Sequence, residues 1–149
     1  MIIYKEDNKI NLEFGGFYKI ENLPTKKHKG SGIYVVYAGR NFLSGTCLLR
    51  KILYIGESEE IETRINERHE HYNDWLKYLN KNEFLFFSLA NVNTNDRERA
   101  EAALICRHRD ILPINKKGKK SFLFPDTQIK ITGRFKFLDK DFIVKNIEN

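Results

Sequence analysis

Gly32-Ile33-Tyr34-Val35-Val36-Tyr37, answered further along by Tyr54-Ile55-Gly56, is the pair of stretches from which the architecture of this chain can be read. β-Branched and aromatic residues fill the first run without a polar interruption, as in a buried strand. Cys47 to Gly56 reads as a second strand. With Ala38 to Thr46 as the turn or loop between them, the two predict an antiparallel hairpin. Period-two alternation puts Tyr54 and Ile52 on one face of the second strand and Leu53 and Ile55 on the other. Glycine at 56 lets the chain leave the strand sharply.

Outward from the hairpin, Ser58 to Asn80 reads as one helix. Ser58 is a candidate N-cap, and Glu59, Glu60 and Glu62 crowd the first turn, where the helix dipole favours negative charge. Ile61, Ile65, Tyr72, Leu76 and Leu79 recur at helical spacing. At about 100° per residue, Arg64, Arg68, His71 and Trp75 share a stripe beside this apolar face, and His69 falls on the opposite edge. Glu83 to Ala90 predicts a central strand, and Asn91 to Asn95 a polar loop with cap residues. Asp96 to Asp110 predicts a second helix that stops before Pro113. On that helix Glu101 shares a face with Leu104, Ile105 and His108. A carboxylate there needs a positive partner, either a metal ion or Arg97 one turn earlier.

The flanks add strands and charge. Met1 to Leu23 suggests two short strands broken at Gly15-Gly16, and Thr25 to Ser31, which contains Lys29, is a basic loop. Lys116, Lys117, Lys119 and Lys120 surround Gly118 in a basic turn. Ser121 to Phe124, Gln128 to Thr132 and Arg134 to Leu138 alternate like strands that could pair with the N-terminal ones. A length of 149 residues suits a single domain, 1–149. Its net charge of +6 and pI near 9.3 favour a polyanionic partner without requiring one. Two cysteines, Cys47 and Cys106, are too few for a disulfide framework. Met1 to Leu12 lacks the apolar core of a signal peptide and no run reaches membrane-spanning length, so the expected compartment is the cytoplasm, with no membrane partner.

Taken together, Gly32-Ile33-Tyr34, Tyr54-Ile55-Gly56, Arg64 ten residues after its tyrosine, Glu101-Ala102-Ala103-Leu104-Ile105 and Pro113-Ile114-Asn115 resemble the GIY-YIG nucleases. The resemblance covers about 30–116, leaving an N-terminal extension, 1–29, and a C-terminal β extension, 117–149. It implies an α+β fold, a small mixed or antiparallel sheet flanked by helices, with extra strands from the two extensions. It further implies a DNA endonuclease dependent on Mg²⁺ or Mn²⁺. Glu101 would hold the metal and Arg64 would clamp the scissile phosphate. Tyr34 and Tyr54 would flank the attacking water, with Tyr34 preferred as base, and Asn115 would position Glu101 or the helix end. Lys29, Lys51, Arg68, Lys116, Lys117, Lys119 and Lys120 are candidate backbone contacts.

Two departures stand out. The tyrosines are twenty residues apart where many family members have about ten, so the hairpin carries an insertion around Gly39 to Gly45. Arg68 occupies the position where many members have histidine; helical geometry favours His71 over His69 for that role. The competing readings are a catalytically inactive nucleic-acid-binding module on the same fold and a zinc-binding structural domain using His69, His71 and a cysteine. RNA remains an alternative substrate, and a homodimer would suit a double-strand cut.

Overall fold

The computed structural model describes residues 8–115 and 121–147. Lys116, Lys117, Lys119 and Lys120 lie outside the described residues. Six strands form one mixed sheet: β1 (Lys9–Tyr18), β2 (Gly32–Phe42), β3 (Thr46–Ser58), β4 (Phe84–Asn91), β5 (Thr127–Gly133) and β6 (Asp141–Val144), in the order β3-β2-β4-β1-β5-β6. Only β1 and β5 pair in parallel; the other neighbours are antiparallel. Among the described residues, helices are α1 (Ile61–Arg64), α2 (Tyr72–Leu76) and α3 (Thr94–His108).

The uninterrupted apolar run of β2 has a direct cause. Gly32 to Gly39 is buried throughout, and core lies on both faces of the sheet. On one face Ile33, Val35, Tyr37 and Phe86 pack with Ala100, Ala103 and Leu104 of α3. On the other, Tyr34, Val36, Ala38, Phe87 and Leu89 pack with Ile61, Ile65 and Trp75. Burying the last group alone contributes several kcal/mol, at about 1.5–3 per large apolar side chain.

The hairpin, the central strand β4 and the helix before Pro113 match their expectations, and Asn93 caps α3 by accepting from the Asp96 N–H at 3.0 Å. Elsewhere the structure departs from the sequence reading. The strands of the hairpin extend through most of Ala38 to Thr46, leaving only 43–45 as the turn. Ile52 pairs with Tyr37 and Tyr54 with Val36, so Leu53 is an extra residue. Such a bulge reverses the alternation, and Tyr54 joins Leu53 rather than Ile52.

The single helix expected over 58–80 is two short ones. Ser58 ends β3, its Oγ accepting from the Glu60 N–H, instead of capping a long helix. At Asn66 the side chain donates to the Thr63 carbonyl at 2.9 Å and accepts from the Arg68 N–H at 2.7 Å, replacing helical backbone bonds. The irregular path turns both Ile65 and His69 inward, and the proposed stripe of Arg64, Arg68, His71 and Trp75 does not exist.

In the described part of the N-terminal region, β1 runs through Gly15-Gly16 with a register irregularity instead of ending there. In the C-terminal region, Phe122 forms only an isolated bridge to Ile147, and 134–138 is not a strand. Strand β6 there had no sequence expectation.

His108 joins α3 to this extension. Its Nδ1–H donates to the Leu104 carbonyl at 2.8 Å, and its Nε2 accepts from the Asp139 N–H at 2.9 Å. Both bonds together require a neutral ring, and burial holds the imidazole below its ordinary pKa. As pH falls through about 6.5 the unfolded chain takes up protons that the folded one refuses, so stability falls. We expect the urea midpoint of the wild type to fall further between pH 7 and pH 5 than that of His108→Gln. An equal dependence in that variant would contradict the assignment.

Candidate active site

Tyr34 on β2 and Gly56 on β3 are directly paired, and Tyr54 sits diagonally across on the same face. A Cβ at residue 56 would come within 2.3 Å of Tyr34 Cζ and 2.4 Å of its Oη. Glycine is therefore required for the phenol to lie across the neighbouring strand. At Gly32 a Cβ would meet the Ile61 side chain at 2.1 Å and the Ala90 carbonyl at 2.5 Å, so this glycine admits α1 against the sheet.

The buried Tyr34 phenol lies 2.7 Å from His69 Nε2. His69 Nδ1 accepts from the His71 N–H at 3.0 Å, which assigns the proton of the neutral ring to Nε2 and makes it donor to Tyr34. Burial and the Arg64 charge push the His69 pKa down to about 4. Its ring packs on Trp75 with centroids 4.4 Å apart. His71, the histidine favoured by the helical reading, instead packs against Tyr54 and bonds Asp74 at 3.0 Å. Since that preference rested on a continuous helix, its geometric basis is gone.

Burial raises both tyrosines, Tyr54 to about 12 and Tyr34 further. Arg64 acts on each in the opposite direction. Arg64 forks onto Glu70, with one bond of 2.8 Å, holding that carboxyl down to about 2. The pair is substantially exposed, a class of contact worth about 0–1 kcal/mol.

Glu101 is electrostatically coupled to both tyrosines. Its expected partner, Arg97, faces elsewhere, bonded to Glu57 and to Ser31 Oγ at 3.1 Å. Glu101 has no hydrogen-bond or ion-pair partner among the described residues. Burial, Glu57 and Glu98 push its pKa up to about 7. Arg64, Arg68, His69, Arg97 and Glu57 line a cleft of about 570 Å³.

Asn115 is not beside Glu101 in any hydrogen bond. Its Oδ1 accepts from the Ile55 N–H at 2.9 Å and its Nδ2 donates to the Ile55 carbonyl at 3.0 Å. Strand β3 is a sheet edge, and these bonds satisfy its outward backbone groups within Tyr54-Ile55-Gly56. Arg68 is exposed at the cleft, and Lys29 is exposed on its loop. Lys51 instead borders a separate depression with Asp110 and Pro113. Glu57, Glu70 and Ser31 were not among the candidate site residues; adjacency to the motifs was the only signal available for Glu57 and Ser31. Both ring nitrogens of His69 are engaged, which disfavours the zinc-domain reading, and no group of three or more His, Cys, Asp and Glu suited to a metal occurs among the described residues.

No family model, curated protein or solved structure matches the chain.

Gly56→Ala tests the close approach on which this geometry rests. We expect about 1–3 kcal/mol of destabilisation from overpacking, read as a lower urea midpoint. An unchanged midpoint would refute the contact.

Proposed function

We propose that the protein is a divalent-metal-dependent endonuclease hydrolysing DNA phosphodiester bonds by a GIY-YIG-type mechanism. The supporting observation is the buried Tyr34–His69 hydrogen bond, formed beside Tyr54, with Arg64 and Glu101 both in electrostatic reach of the tyrosines. These groups supply a proton acceptor, a phosphate clamp and a hard oxygen ligand.

The half-buried Glu101 carboxylate, without an ion-pair partner among the described residues and with its pKa raised by desolvation and then by Glu57 and Glu98, suits a hard cation such as Mg²⁺ or Mn²⁺. A cation held there would neutralise charge developing on the phosphoryl oxygens and the departing 3′ oxygen. The exposed Arg64–Glu70 pair is weak enough for a substrate phosphate to take the guanidinium, whose fork matches two phosphoryl oxygens.

The bonding direction favours Tyr54 as base, the reverse of the preference for Tyr34. His69 Nε2–H donates to the Tyr34 oxygen, which engages that oxygen as an acceptor, and the Tyr54 ring lies beside it at 6.1 Å between centroids. Tyr54 is also the more exposed phenol. In this reading the water oxygen bonds to phosphorus, its proton passes to the Tyr54 phenolate, and the bond from phosphorus to the 3′ oxygen breaks. Arg64 offsets part of the burial that opposes the phenolate.

Supercoiled plasmid incubated with Mg²⁺ or Mn²⁺ tests the proposal. We expect nicking or linearisation by the wild type, none after chelation with EDTA, and none by Glu101→Ala prepared identically. Binding without cutting across DNA and RNA substrates would favour the inactive module. Arg64→Ala should slow cleavage by about 10²–10³-fold, the scale of a lost transition-state donor; a change confined to substrate affinity would remove its transition-state role. At limiting metal, cleavage should weaken as pH falls below about 7, because protonation of Glu101 removes the ligand.

A further inference from the structure

The hairpin insertion is not needed to bring Tyr34 and Tyr54 together. Strand β4 accompanies β2 only as far as Gly39, paired with Phe84. Beyond it, 40–42 and 46–48 continue as a two-stranded ribbon with Phe42, Leu43 and Leu48 exposed. Between the ribbon tip and the exit of β1 lies a groove of about 530 Å³, lined in part by Phe17, Lys19, Asn41, Phe86 and Arg134.

Of the three arginines lining the cleft, Arg64 and Arg97 are held by glutamates, and Arg68 has no ion pair among the described residues. Lys19 Nζ instead lies 4.1 Å from the Phe84 ring centroid, and the Arg134 guanidinium lies 5.4 Å from that of Phe17. Neither has a carboxylate within ion-pair distance among the described residues. Among the described residues, Glu21 is the only acidic side chain in the groove lining. Aromatic faces fix the two cations without neutralising them, leaving both charges available to an anion.

Resting on the endonuclease reading above, we propose that this groove is a second contact for the substrate, taking the sugar–phosphate backbone of the nucleic acid away from the cut. Tyr34 and Asn41 are seven residues apart on β2. At about 3.3 Å per residue this is roughly 23 Å, the rise of about seven base pairs at 3.4 Å each. Phe17, Cys47 and Phe86 of the groove pack on the face of the sheet opposite Tyr34, so a substrate engaging both places must pass around the edge of the sheet and extend several nucleotides beyond the scissile phosphate.

Amide chemical shifts of the full chain, titrated without metal with a 20-base-pair DNA duplex, test the proposal. We expect changes at Asn41, Cys47 and Arg134 together with Tyr54 and Arg64. Changes at Tyr54 and Arg64 alone would overturn the groove and leave the nuclease reading standing. Changes confined to the groove would support it as a nucleic-acid contact and count against the cleft as the substrate site. No change at either would overturn both. In the Lys19→Ala, Arg134→Ala double variant, the plot of log affinity against log salt should be shallower by about 2, at roughly 0.9 per lost phosphate contact. Asn41→Glu adds repulsion at an exposed position without removing either ring contact, and should weaken binding about tenfold at low salt. Unchanged binding in both variants would overturn the groove contact.

Discussion

Tyr34 reaches His69 because residue 56 has no side chain. The phenol lies where a Cβ on the paired strand would stand, and from there it accepts the imidazole N–H in a buried setting. Much else follows from that approach. The edge strand carrying Gly56 must be held in register, and Asn115 does this with two bonds to the backbone of Ile55. The segment after α1 must leave the helical path to turn His69 inward, and the side chain of Asn66 supports that turn. Trp75 then packs on the imidazole, joining the site to the core on this face of the sheet.

Two of the three arginines lining the cleft are compensated by glutamates. Arg64 rests on Glu70 and Arg97 on Glu57, whereas the buried His69 stays neutral at physiological pH. Glu101, outside the residues lining that cleft, is a half-buried carboxyl opposed by Glu57 and Glu98, with Arg97 bonded to Glu57. Burial raises the cost of its charge, and a divalent ion would reduce that cost. The same low-polarity surroundings raise the tyrosines, so a catalytic phenolate depends on positive charge arriving nearby. The proposed cation at Glu101 would meet both needs at once.

Under the proposed reading the two ends of the hairpin would serve different tasks. At the Tyr34 end, both faces of β2 are packed and the strand has neighbours on either side. At the other end, the ribbon outruns β4 and exposes apolar side chains beside cations that rest on aromatic rings. Rigid positioning suits bond cleavage, while an exposed basic groove suits extended contact with a charged backbone.

Local composition determined the hairpin, the central strand β4 and helix α3, because a long apolar run, a polar cap and a following proline act over a few residues. The family resemblance, not local composition, grouped Tyr34, Tyr54, Arg64 and Glu101, and in the structure Arg64 and Glu101 each act electrostatically on the two tyrosines. The face of Tyr54, the choice between His69 and His71, the partner of Asn115 and the company of Glu101 were decided by tertiary structure. One extra residue at Leu53 inverted the strand alternation, and side-chain bonds at Asn66 interrupted a segment with helical periodicity. Both effects depend on contacts that spacing does not encode: strand register is set across the sheet, and the inward turn of His69 is stabilised by Tyr34, thirty-five residues earlier in the chain.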